Sequence, residues 1–98
     1  VKIQSTQNGT LQDYPVEGIF ISIGYEPSNA LAKELGLKLN EEGYIEVDRH
    51  QRTSIPRIYA AGDITGGVKQ IVTALGQGSI AAITAFEELA SPYWKEKK

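Results

Sequence analysis

The stretch that decides the fold is Thr53-Ser54-Ile55-Pro56-Arg57-Ile58-Tyr59-Ala60-Ala61-Gly62-Asp63-Ile64-Thr65, continued by Gly66-Gly67-Val68-Lys69-Gln70-Ile71-Val72-Thr73-Ala74-Leu75-Gly76-Gln77-Gly78. Arg57 to Asp63 reads as a buried strand that ends in a tight turn extended by Thr65-Gly66-Gly67. Such a strand delivers Gly62 and Asp63 to the carboxyl edge of a sheet, where ligands bind in open α/β folds. Gly62 admits a ligand close to the backbone, and the Asp63 carboxylate can accept hydrogen bonds from sugar-like hydroxyls. From about Gln70 to Leu89 the spacing turns helical: Ile71, Leu75, Gly78, Ala82, Phe86 and Leu89 share one stripe, widened by Val72, Gly76, Ile80 and Ile83. That pattern predicts a long helix, mostly buried. Its free N–H groups and positive dipole end would favour a partly negative ligand oxygen. Gly76 and Gly78 each cost roughly 1 kcal/mol against Ala inside a helix, which points to close packing against a backbone or a ligand.

Upstream, Gly18-Ile19-Phe20-Ile21-Ser22-Ile23-Gly24 is a short apolar run bracketed by glycines, the pattern of a strand buried on both faces. Ser28 or Asn29 can cap the short helix Ala30 to Leu35, and Gly36 suits its left-handed end. Tyr44 to Asp48 alternates as a strand, and Arg49 to Pro56 reads as a polar loop containing an exposed His50. At the start, the alternation of Val1 to Gln7, then Asn8-Gly9, then Thr10 to Tyr14 predicts a solvent-facing hairpin with a type I′ turn. Pro15 weakens the pairing beyond it. The expected fold is α/β, an incomplete layered sheet with an N-terminal β-hairpin.

Composition narrows the function. The 98 residues allow one domain. Ten basic and twelve acidic groups give −2. Lys95, Lys97, Lys98 and Glu96 sit in the tail, so residues 1–94 carry seven basic and eleven acidic groups, a net of −4. Phosphate neutralisation on a nucleic acid is not expected of such a chain, nor is a membrane span. The absence of Cys excludes a disulfide, a thiolate metal site or a redox thiol pair within the chain, and a single His excludes a multi-histidine metal site. The Lys-rich tail reads as a frayed, solvated terminus. There is no Met even at position 1, so either an initiator was removed or the chain begins partway through a longer protein.

The decisive stretch closely resembles the second flavin-binding motif of the thioredoxin reductase family, pyridine nucleotide-disulfide oxidoreductases with two dinucleotide-binding domains. The pattern T-x-x-x-x-[IVF]-[YF]-A-x-G-D is matched by Thr53, Ile58, Tyr59, Ala60, Gly62 and Asp63. Lys69-Gln70-Ile71-Val72-Thr73-Ala74 and Gly76-x-Gly78 look like the start of the family's last helix. Ile19 to Asn29 looks like its strand and G-x-x-P-N crossover, with one extra residue between Pro27 and Asn29. Gly43 to Val47 matches its G-x-I-x-V strand.

The resemblance implies a partial, Rossmann-like three-layer FAD-binding domain. Residues 1–17 would be the closing hairpin of the NAD(P)H domain, and 18–98 the C-terminal half of the FAD domain. It implies that Asp63, beside Gly62, binds the FAD ribityl hydroxyls. The Ile64 amide would lie near the pyrophosphate, and the Gln70 and Ile71 amides would face the pyrimidine end of the isoalloxazine. Lys69 is either a cofactor-side charge or a solvated lysine, and Tyr25 either stacks near flavin or simply packs. The G-x-G-x-x-G fingerprint, its NADPH-binding copy and the redox C-x-x-C pair are missing. The chain is therefore expected to be an incomplete, cytoplasmic flavoprotein segment with no catalytic residue of its own and no NAD(P)H site. It would bind FAD weakly or not at all when alone. Its expected partner is the missing N-terminal half of the FAD domain, in the same or another polypeptide. The alternative is a stand-alone non-catalytic domain or split-enzyme subunit that pairs with another chain or with itself.

Overall fold

A computed structural model describes residues 1–95. Strands β1 (Lys2–Gln4) and β2 (Leu11–Asp13) form an antiparallel hairpin, with Ile3 opposite Gln12. The hairpin is exposed throughout its strands, as expected, but its turn is longer than a type I′ pair. Ser5 N–H donates to Thr10 O and Gly9 N–H to Ser5 O, so four residues, 6–9, make the connection. Only Gly9 takes positive φ (+73°), while the Asn8 side chain accepts the Thr10 N–H at 3.0 Å. An Asx-type bond satisfies the turn without forcing Asn8 into the left-handed region.

The run 18–24 departs from the buried strand expected of it. It pairs with no strand among the described residues, and Phe20 is fully exposed (101%). A β-branched run becomes a buried strand only when neighbours supply ladder partners on its edges and layers on its faces. The described residues supply neither. Arg57 to Asp63 is likewise not a regular strand. Its sheet-like contact is one antiparallel bridge, Arg52 to Tyr59, and Arg57 itself sits at φ +72°. Tyr44 to Asp48 is reduced to the bridge between Leu39 and Ile45.

What does pack is a small core built by turns. Helix α1 (Ala30–Glu34) ends as the sequence predicts: Gly36 (φ +75°) donates to Lys33 O and Leu37 N–H to Ala32 O, both at 3.0 Å. This Schellman end brings Ala32 and Leu37 together. Both are buried with Ile45 and Ala60, and Leu39, Val47, Ile55, Ile58 and Ile64 pack around them. Asn29 holds the N-cap position, yet its side chain does not cap; it donates to Gly43 O at 2.9 Å and ties α1 to the next turn. The loop after Asp48 is stapled by polar side chains. Gln51 donates through Nε2 to Ala60 O at 2.9 Å, and Thr53 donates to Ile58 O at 2.9 Å. His50 lies in this loop, half-buried rather than exposed, and accepts from Arg49 Nε at 3.2 Å.

Helix α2 (Ile71–Ala90) begins where the pattern places it, but faces the other way. Its inner face is small and polar: Ala74, Gln77, Ala81 and Ala85 are half-buried, and Thr84 and Glu88 are buried. The predicted apolar stripe points outward, with Ile71, Leu75, Ile83, Phe86 and Leu89 exposed. Nothing lies within 4 Å of a side chain built at Gly76 or Gly78, so no close packing involves them among the described residues. The molecule is elongated, 68 × 25 × 21 Å with a radius of gyration of 20.3 Å. A compact chain of this length has about 13 Å. Of the tail, Lys95 closes a 3₁₀ turn (Tyr93–Lys95), and residues 96–98 lie outside those described. Among the described residues no helix is long and apolar enough to cross a membrane.

The distal end of α2 is clasped by charge. Glu88, 4% exposed, accepts hydrogen bonds from Arg52 Nε and from the Tyr59 hydroxyl. Arg52 also pairs with Asp48 at 3.5 Å and lies 4.6 Å from the centre of the Tyr93 ring. Burial, then the bond to Glu88, pushes the Tyr59 phenol up to about 12 from an ordinary 10. Because the folded phenol holds its proton where the unfolded one releases it, this contribution is complete below pH 10 and is lost as pH rises from 10 to 12. In urea titrations, the Tyr59→Phe variant should therefore lose less stability than the parent between those pH values; identical slopes would contradict the clasp.

Candidate functional site

The predicted site residues gather around a 3₁₀ turn, Asp63–Thr65, set between two glycines. Gly62 (φ +88°, ψ −161°) and Gly66 (φ +78°, ψ −160°) both occupy a region essentially closed to other residues. Space enforces the same choice at Gly66, where a Cβ would lie 3.3 Å from Tyr44 Cγ. The turn closes on itself through Thr65 N–H to Gly62 O (2.9 Å) and Gly66 N–H to Asp63 O (3.0 Å). Two outside bonds fix its attitude. Ile45 N–H donates to Ile64 O at 2.9 Å, and Gly62 N–H donates to Gln77 Oε1 of α2 at 2.7 Å. Asp63 is thereby held outward. It is exposed, and its carboxylate has no hydrogen-bond or ion-pair partner among the described residues.

The start of α2 faces the same space. Gln70 is its N-cap in an extended conformation (φ −134°, ψ 151°), and its carbonyl accepts the Ala74 N–H at 3.0 Å. No side chain caps this end, and no acidic residue stands in its first turn. The N–H groups of Ile71, Val72 and Thr73 therefore have no partner within the helix. Asp63, Lys69, Gln70, Ile71 and Ala74 line one groove of about 350 Å³. Asp63, Ile64 and Lys69 line a second of similar volume, together with Tyr25, Glu26, Pro27 and Tyr44. Five of the six predicted residues thus line a continuous pair of clefts, and the sixth, Gly62, shapes the turn that carries Asp63.

Among the described residues Lys69 pairs with no acid, and its side chain is half-buried. Its Nζ lies 4.7 Å from the centre of the Tyr44 ring and 5.5 Å from that of Tyr25, a cation–π arrangement that holds a positive charge at the cleft mouth. The clefts therefore offer two carboxylates, Asp63 at their junction and Glu26 in the second, one ammonium and a row of backbone donors. That set suits an elongated ligand carrying hydroxyls at one end and electron-rich oxygens at the other. Sequence reasoning missed Tyr44 and Gln77. Tyr44 sits in a short alternating segment where an aromatic signals packing, and no spacing rule singles out a Gln between two helical glycines. Replacing Gly66 by Ala should cost about 1–3 kcal/mol in urea denaturation. Gly67→Ala, also at positive φ but facing open space, should cost only about 1 kcal/mol. Equal effects would contradict the tight fit against Tyr44.

The family model "Pyridine nucleotide-disulphide oxidoreductase" matches residues 1–78. Thioredoxin reductase of Listeria innocua is 43% identical over 86 residues, which is 87% of this chain and 27% of that protein. An alkyl hydroperoxide reductase component of Staphylococcus aureus is 42% identical over 73 residues, 74% of this chain and 14% of that one. Among solved structures, T. acidophilum thioredoxin reductase superimposes with a TM-score of 0.78 at 41% identity, over 92% of this chain and 30% of that one. The Lactococcus lactis thioredoxin reductase gives 0.77 at 34% identity, over 91% and 29%. The chain thus spans less than a third of the length of each of these relatives. With both the motif and the backbone in agreement, the chain belongs to the thioredoxin reductase family of pyridine nucleotide-disulphide oxidoreductases.

Proposed function

We propose that this chain is the C-terminal FAD-binding segment of a thioredoxin-reductase-like, NAD(P)H-dependent flavoprotein oxidoreductase, and that it acts only with the missing N-terminal half of the FAD domain. The observation that carries this reading is the shared groove, in which an Asp63 carboxylate with no partner among the described residues stands beside the uncapped first turn of α2. The donor set fits the cofactor. Asp63 would accept bonds from ribityl hydroxyls, the Ile64 N–H would lie toward the pyrophosphate, and the Gln70 and Ile71 amides would face the pyrimidine edge. Bound FAD supplies two-electron transfer between a nicotinamide and a disulfide. This chain contributes orientation and electrostatics: the α2 dipole end and Lys69 favour negative charge on that edge. With no Cys in the sequence, the thiol chemistry belongs to residues elsewhere.

In this reading residues 1–17 close the NAD(P)H domain and 18–98 complete a three-layer FAD domain in a cytoplasmic enzyme. The outward apolar stripe of α2 and the unpaired run 18–24 support a partner layer over them. The same exposure supports a second reading, a split-enzyme subunit or non-catalytic domain that pairs with another chain or with itself. A graft distinguishes the two. When this chain replaces the matching segment of the Listeria innocua enzyme, the purified chimera should carry FAD. Asp63→Ala in that chimera should lower FAD affinity at least about tenfold, the scale of losing bonds to a charged acceptor. Equal affinity with and without Asp63 would overturn the flavin assignment, and a chimera devoid of flavin would favour the second reading.

A further inference from the structure

Gln77 has no role in the groove itself, yet it is the link between the two elements that form it. We propose that Gln77 is a positioning residue: it holds the Asp63-bearing turn in register with the first turns of α2, so that the carboxylate and the helix N–H groups address one ligand. The Gly62 N–H points at α2, but the carbonyls inside that helix are engaged in its own i to i+4 bonds. Only a side chain can supply the acceptor. Gln77 Oε1 lies 2.7 Å from Gly62 N and 3.4 Å from the Thr65 hydroxyl, which also lies 2.8 Å from Gly62 O. The Gly62 end of the turn is thus bonded to the Gln77 amide oxygen, and the Thr65 hydroxyl, which donates to Gly62 O, lies beside it. Gly62 packs close to α2 as well, since a Cβ on it would lie 3.5 Å from the Ala74 Cβ. Asp63 follows Gly62 directly, so the direction of its carboxylate is set by that anchored peptide. The role rests on the flavin reading above, whereas the tether itself does not.

The test measures hydrogen exchange of the Gly62 amide in the full chain, in parallel with FAD affinity in the grafted chimera. Gln77→Leu removes the acceptor at similar size, and Gln77→Glu restores an acceptor oxygen. Gly62 exchange should accelerate at least about tenfold in the Leu variant, while amides of the middle of α2 keep their protection; the Glu variant should restore it. FAD affinity should fall with Leu and recover with Glu. A Gly62 amide that exchanges freely in the parent chain, or equally in parent and Leu variant, overturns the tether. FAD affinity that follows Asp63→Ala but ignores Gln77→Leu overturns the positioning role. FAD affinity indifferent to Asp63→Ala overturns the flavin reading instead, and leaves the exchange result to decide the tether.

Discussion

The hydrogen bond from Gly62 N–H to Gln77 joins the Asp63-bearing turn to α2, and the site depends on it. On one side stands a turn whose dihedral angles only glycine tolerates at both ends. On the other stands a helix whose first turn offers uncapped donors. Each is serviceable alone, as a carboxylate on a loop or a dipole at a helix end, and neither alone specifies a ligand. Held together, they form a groove with an acceptor and a row of donors along one wall. A second clamp, the buried Glu88 with Arg52 and Tyr59, binds the other end of α2 to the same loop system. The helix is therefore fixed at two points roughly three turns apart, and its N-terminus cannot drift relative to Asp63 without breaking one of them.

Burial is distributed in an unusual way. Four side chains, Ala32, Leu37, Ile45 and Ala60, make the buried apolar cluster. The larger apolar groups of α2 and of run 18–24 face outward. The exposed surface, 8126 Å², exceeds the about 5,500 Å² expected of a compact monomer of this mass. The difference is larger than the roughly 800 Å² per partner of a standard interface. The relatives carry more than twice as much chain again, and in the proposed reading a further layer covers this face. The small, polar side of α2 lies against loops that carry their own hydrogen-bond demands, and its apolar side is the one the proposed partner layer would cover.

Much of the organisation was legible in the residues. The Schellman end at Gly36 and the start of α2 just after Gln70 both follow from local rules, because left-handed glycines and helical spacing depend on neighbours within a few positions. The readings that failed share another property. Run 18–24 and Arg57 to Asp63 have strand composition, but a strand is a relation between segments, and an apolar run cannot form a ladder without its partner. The apolar stripe of α2 does share one face, but that face points outward, because periodicity says which residues lie together and not what, if anything, covers them.

The amino-acid sequence by itself determined the chemical inventory: no thiol, one histidine, an Asp directly after a glycine, and a helix beginning eight residues later. It also determined the local conformations that glycine alone permits. Only the tertiary structure decided that Gln77 supplies the acceptor for Gly62, that Tyr25 and Tyr44 hold Lys69 at the cleft mouth, and that Glu88 clasps Arg52 and Tyr59. These contacts span 15 to 44 positions along the chain. They arise where separate turns and a helix are brought to a common surface, and no short-range preference encodes which polar atom will find which.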